Sequence, residues 1–119
     1  MKYMVMMFGD QAAQMGGKPP EWIRSYMEFM HTLDGELKEA GEVVDGQGLV
    51  DPSQAKTIRF VNGAPVATDG PFAEAKESLA GYWILDVSEE RAIEIASRCV
   101  AFVHVPFEVR QVMVAPPEA

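Results

Sequence analysis

The sequence predicts an α+β fold of the ferredoxin-like split βαβ type with a hairpin insertion. Three observations predict it. Strand-like and helix-like segments alternate in the order β-α-β, a short hairpin, then β-α-β. Two of the strands, at 3–8 and 79–87, are apolar on both faces. Two further segments carry a single apolar stripe at helical spacing. With 119 residues and 48% hydrophobic composition, the chain has material for one domain with one core.

Tyr3 to Phe8 reads as a buried, central strand that Gly9-Asp10 ends. Residues 11–20, with Gly16-Gly17 and Pro19-Pro20, read as a loop. The first helix starts near Pro20, with Glu21 suited to its positive N-terminal dipole. Its stripe is Ile23, Tyr26, Met27, Met30, Leu33 and Leu37, and Gly41 is the expected C-cap. Glu42 to Val50 is a weaker strand, loosened by Gly46 and Gly48, and Asp51-Pro52-Ser53 is a turn. Thr57–Val61 and Pro65–Thr68 are joined by Asn62-Gly63, a strong hairpin signal. Asp69-Gly70-Pro71-Phe72 opens a loop reaching Glu77. There Asp69 is expected to form an Asx-turn, Gly70 to supply an unusual backbone angle, and Phe72 to anchor in the core. Ser88 then caps a second helix with Glu89 and Glu90 in its first turn and the stripe Ala92, Ile93, Ala96, Cys99, Val100. Phe107 to Val114 is the last strand, and residues 115–119 are expected to fray.

Two helices cover only one face of a four-stranded sheet. The second face would leave large apolar side chains in water, so the sequence predicts a homodimer packed sheet to sheet. A monomer with a ligand cleft on that face is the alternative.

The net charge of −8 argues against a nucleic-acid partner and against anionic membrane surfaces. No apolar run approaches the length of a membrane span, and the apolar N-terminus is too short for a signal segment. A lone cysteine allows no internal disulfide, which fits a reducing cytoplasm. Two distant histidines and one cysteine make no metal pattern, and no glycine-rich phosphate motif suggests a cofactor.

His31 is the leading catalytic candidate, because imidazole serves as acid or base near neutral pH. Its alternative is a solvated helix residue. Asp69 is the second, able to orient His31 across a pocket or act as the base, with a structural turn as its alternative. Arg59, Lys76 and Arg110 are candidate anion-binding residues, and each otherwise reads as a solvated or paired charge. Tyr82 and Trp83 point to opposite faces of their strand. Tyr82 is a candidate donor to an enolate or phenolate, with core packing as its alternative. Cys99 reads as an inert buried thiol, and His104 as a loop residue.

The stretch Asp69-Gly70-Pro71-Phe72-Ala73-Glu74-Ala75-Lys76-Glu77 closely resembles the signature of the DGPF-motif branch of the YCII-related proteins. Met1-Lys2-Tyr3-Met4, Gly9-Asp10, Glu36-Leu37, Ala40-Gly41, Gly48-Leu49 and Gly81-Tyr82-Trp83 agree, so the resemblance spans nearly the whole chain. It implies a dimeric α/β barrel built from two ferredoxin-like halves, and association of many members with extracytoplasmic-type sigma factors. Most members are uncharacterised. In smaller relatives a histidine of the first helix and an aspartate after the second helix are the proposed active site. His31 matches the histidine, whereas Cys99–His104 offers no counterpart to the aspartate. One relative resembles a dehydrochlorinase of chlorinated hydroquinones. Muconolactone isomerases and cofactor-free monooxygenases have similar barrels, an analogy of fold alone.

Three functions follow as expectations. The first is a cofactor-free lyase or isomerase acting on a small anionic or phenolic metabolite by His/Asp acid–base chemistry. The second is a small-ligand-binding or regulatory module of a sigma-factor pathway, without catalysis. The third is a dimerising structural protein with a sealed interior.

Overall fold

A computed structural model describes residues 1–9, 16–72 and 77–115. Strand β1 (Lys2–Phe8) leads to helix α1 (Pro20–Glu39) and strand β2 (Val43–Gly48). A 3-10 turn (Pro52–Gln54) precedes the hairpin strands β3 (Lys56–Val61) and β4 (Ala64–Asp69). Strand β5 (Leu79–Asp86), helix α2 (Glu89–Val103) and strand β6 (Phe107–Gln111) complete the chain.

The main sheet has the order β2-β5-β1-β6, with every neighbouring pair antiparallel. Strands β1 and β2 run parallel but are separated by β5, which is the split βαβ arrangement of a ferredoxin-like α+β fold. β3 and β4 form a separate two-stranded sheet.

The core lies between the sheet and both helices. Tyr3, Val5, Trp83 and Leu85 from the sheet meet Leu33 and Leu37 of α1 and Ala92, Ile95 and Cys99 of α2. Two-residue alternation puts these sheet residues on one face. The opposite face carries Met4, Met6, Phe8, Tyr82 and Ile84, and neither helix covers it. Rings bind the helices to each other: Phe102 of α2 stacks on Phe29 of α1 at 4.9 Å between centroids and lies tilted against Trp22 and Tyr26.

The element ends follow local chemistry. α1 begins at Pro20 directly after Pro19, where a missing amide proton costs nothing. It ends in a Schellman motif: Glu42 N–H donates to Leu37 C=O and Gly41 N–H to Lys38 C=O, with Gly41 at φ 73°. The Ser88 hydroxyl accepts from Arg91 N–H at 3.1 Å and caps α2. The Arg91 guanidinium then reaches across to both Glu42 oxygens at 2.9 and 3.0 Å, tying the start of α2 to the end of α1. Asn62 and Gly63 both have positive φ, as a type I′ turn requires.

Several expectations need correction. Met27 and Ile93 are exposed rather than core residues, while Ile95, absent from the expected stripe, is fully buried. Ile95 lies about 60° from Ala92 around the helix, and Ile93 about 100° away on the other side. Phe72 is 83% exposed and anchors in no core of its own chain. Asp69 closes β4 opposite Lys56 and its carboxylate accepts from the Lys56 ammonium, while the Gly70 N–H ahead of Pro71 donates to Ala55 C=O instead of to Asp69. β6 ends at Gln111, short of Val114. No helix among the described residues is long and apolar enough to cross a membrane.

Candidate functional site

Helix α1 carries two parallel rows of side chains. Tyr26, Met30, Leu33 and Leu37 face the core, and the three of them other than Met30 are buried. Met27, His31, Asp34 and Lys38 follow one residue behind in each case, hence about 100° further round the helix. Met27, His31 and Asp34 of this second row border an open cleft of about 520 Å³ between α1 and strands β1, β2 and β5. Its walls are largely apolar: Val5, Met7, Met27, Met30, Trp83 and Phe107 all contribute.

Glycines open the cleft. β2 crosses its floor with Gly46 and Gly48 facing Trp83 and Gly81 across the sheet. A Cβ on Gly46 would stand 2.4 Å from Trp83 Cδ1, so the indole lies directly against bare backbone. Trp83 Nε1–H then donates to Asp34 Oδ1 at 3.1 Å, and Lys38 Nζ lies 2.8 Å from Asp34 Oδ2. Burial pushes the Asp34 carboxyl upward. The hydrogen bonds from Lys38 and Trp83, with the charges of Lys38 and His31, outweigh this and hold it below the ordinary aspartate value. The carboxylate is therefore fixed, ionised, and one turn along α1 from His31.

Both Tyr26 and Tyr82 border the cleft, but only Tyr26 has its ring on the helix side; the Tyr82 ring lies on the opposite face of the sheet. Among the described residues, the Tyr26 hydroxyl donates to Met7 Sδ at 3.7 Å, a weak acceptor. Burial and the nearby Cys99 thiol raise the Tyr26 phenol above its ordinary value, so it stays protonated. The Tyr82 hydroxyl donates to Asp45 Oδ2 at 2.9 Å, and that bond, with burial, raises its phenol as well. A bulge in β2 between Val43 and Asp45 sets Asp45 opposite Ile84, on the same face as Tyr82.

The family model for the YCII-related domain matches residues 1–115. The chain belongs to the YCII-related family. It is also 31% identical to an uncharacterised protein of Rhizobium meliloti (strain 1021) over 97 residues, which span 81% of this chain and 77% of that protein.

In this YCII-related chain the sequence-nominated residues fall into separate places. His31 and Tyr82 border the cleft. Asp69 does not: it is at the base of the β3–β4 hairpin, paired with Lys56. Arg59 projects from β3 with its guanidinium 5.9 Å from the centre of the Phe72 ring. Arg110 pairs with Glu108 two residues away on β6. Lys76 lies outside the described residues, as does Glu74. Sequence reasoning missed Asp34, Tyr26 and Trp83 Nε1. The signal for Asp34 was present as His31, Asp34 and Lys38 at i, i+3 and i+7, a helix row of chemistry beside the apolar row. Among the described residues, no three His, Cys, Asp or Glu side chains converge as metal ligands.

Proposed function

We infer that this YCII-related protein is a cofactor-free lyase or isomerase that works on a small phenolic or quinol-like metabolite in the α1 cleft. One observation carries the reading: His31, an ionised and fixed Asp34, and the weakly engaged Tyr26 hydroxyl meet at an open cleft with aromatic and thioether walls. His31 takes a proton from a carbon of the substrate. The electrons of the broken C–H bond move into the ring or the adjacent carbonyl. Return of the proton at a second carbon gives an isomer, and expulsion of a leaving anion gives an elimination product. Asp34 is a positioning residue that favours the imidazolium formed in the first step, while Trp83 and Lys38 hold it in place. Tyr26 donates to the oxygen on which negative charge develops. A phenolic substrate fits better than a dicarboxylate, since neither Arg59 nor Arg110 borders the cleft. The site belongs in a reducing cytoplasm and in a homodimer formed over the uncovered sheet face.

The test is a thermal-shift screen of phenols, quinols and carboxylates, followed by solvent deuterium exchange into each ligand that binds. A ligand at a hundredfold excess over Kd adds about 2.7 kcal/mol of stability. The expected result is a phenol that raises Tm and exchanges a carbon-bound proton in wild type but not in His31→Ala. Exchange that persists undiminished in His31→Ala overturns the assigned role.

A second reading is favoured by one observation: Asp34 and Tyr82 already have their hydrogen-bond partners within the chain. On this reading the cleft holds a ligand without turnover, as part of a regulatory module, and a sigma factor is the partner to try by pull-down. Binding with no exchange in wild type supports it.

A further inference from the structure

The β3–β4 hairpin is an arm. It forms a two-stranded sheet separate from the main one, and its two strands contact chiefly each other. Polar bonds close its base: Gly70 N–H donates to Ala55 C=O at 2.9 Å, and the Thr57 hydroxyl to Gly70 C=O at 2.8 Å. Both faces carry exposed apolar side chains. Ile58 and Phe60, 63% and 78% exposed, share one face with Pro65 and Ala67, while Val61 and Val66 lie on the other. An isolated two-stranded ribbon is marginal in water, and this one lacks cover from the described parts of its own chain. Phe60 and Phe72 alone leave on the order of 300 Å² of ring to water, already as much as the largest patch of many monomers. The chain as a whole is spread out, with a radius of gyration of 16.5 Å against about 13.5 Å for a compact chain of this length.

We propose that the arm seats on a second copy of this chain, over the sheet face opposite the helices, where Met4, Phe8, Tyr82 and Ile84 are half-buried around a buried Met6. The inference rests on the homodimer reading and adds the element that makes the contact. A stable interface removes about 800 Å² per partner. The exposed Ile58, Phe60, Val61 and Val66 of the arm supply apolar surface for such a contact, and a twofold arrangement engages each arm with the other copy's sheet. Charge agrees: the arm bears Lys56 and Arg59 against Asp69, a net positive element approaching a chain of net charge −8.

The test measures dimer dissociation by analytical ultracentrifugation for wild type, Phe60→Lys and Ile58→Lys, with near-ultraviolet circular dichroism to verify the fold. Both positions are exposed in the single chain, so the core stays intact. A photo-crosslinking phenylalanine at position 60 of one tagged copy, mixed with a differently tagged copy, maps the contact. The expected result is a wild-type dimer, dissociation constants raised at least about tenfold in both variants, and cross-links to β1 or β5 of the other copy. A wild-type dimer that neither variant weakens overturns the arm and leaves the dimer standing. A wild-type monomer at tens of micromolar overturns both. A monomer that cross-links from position 60 to a different protein does the same.

Discussion

Gly46 has no side chain because the Trp83 indole occupies the place where one would go. The blocking group is a large buried ring, which cannot swing aside as the tip of a lysine does. Gly46→Ala should therefore cost about 1–3 kcal/mol, read as a fall in Tm together with a shift in tryptophan emission as the bond to Asp34 lengthens. Asp34 makes a second prediction. Its carboxyl is held below 3.8 in the folded chain. A carboxyl with a depressed value stabilises the fold fully above its unfolded value, and that contribution is lost as the pH falls through the folded one. Wild type should thus exceed Asp34→Asn in urea midpoint above pH 3.8, and the difference should shrink as the pH is taken well below it. At this scale the sequence was partly legible. A lone histidine drew attention to α1, but its neighbour on the next turn was hidden among ordinary surface charges. The Asp34–Trp83 bond joins residues 49 positions apart, and only the sheet brings them together.

The ends of the elements are set by single residues, and these are testable. Gly41 occupies the left-handed position that closes α1, so Gly41→Ala should cost about 1 kcal/mol. Ser88→Ala removes the cap of α2 and should also cost about 1 kcal/mol. Both are checked by guanidinium titration. Such ends were readable because proline, serine and glycine act through their own backbone chemistry, which a short window of sequence contains. The two-sided strands β1 and β5 and the Asn62-Gly63 turn were readable for the same reason. The phase of a helix stripe was harder. Met27 has the hydrophobicity of a core residue but stands in the row that borders the cleft. Apolar character reports that a side chain seeks cover and does not report which surface gives it.

The whole molecule shows the same limit at larger scale. Phe72 was expected in the core on its hydrophobicity, and it stands in water in the single chain. If the proposed pair forms, the exposed apolar residues of the hairpin belong to an interior that one copy does not contain. Small-angle scattering gives a direct measure. The assembled protein should show a radius of gyration clearly above the 16.5 Å of one chain, and Phe60→Lys should return it to about the single-chain value as the pair separates. The ferredoxin-like topology itself was legible, since the order of elements and their two periods leave few ways to pack two helices on one sheet.

Cys99 is the only cysteine of the chain. It is fully buried against the sheet, and burial pushes its thiol up to about 11. At neutral pH it is shut off from alkylating reagents while the fold holds. A cysteine introduced at any exposed position, such as the tip of the hairpin, therefore becomes a unique attachment point for a fluorophore or spin label with the native residue left in place. The native thiol then serves as an internal clock, since its rate of modification counts the openings of the core.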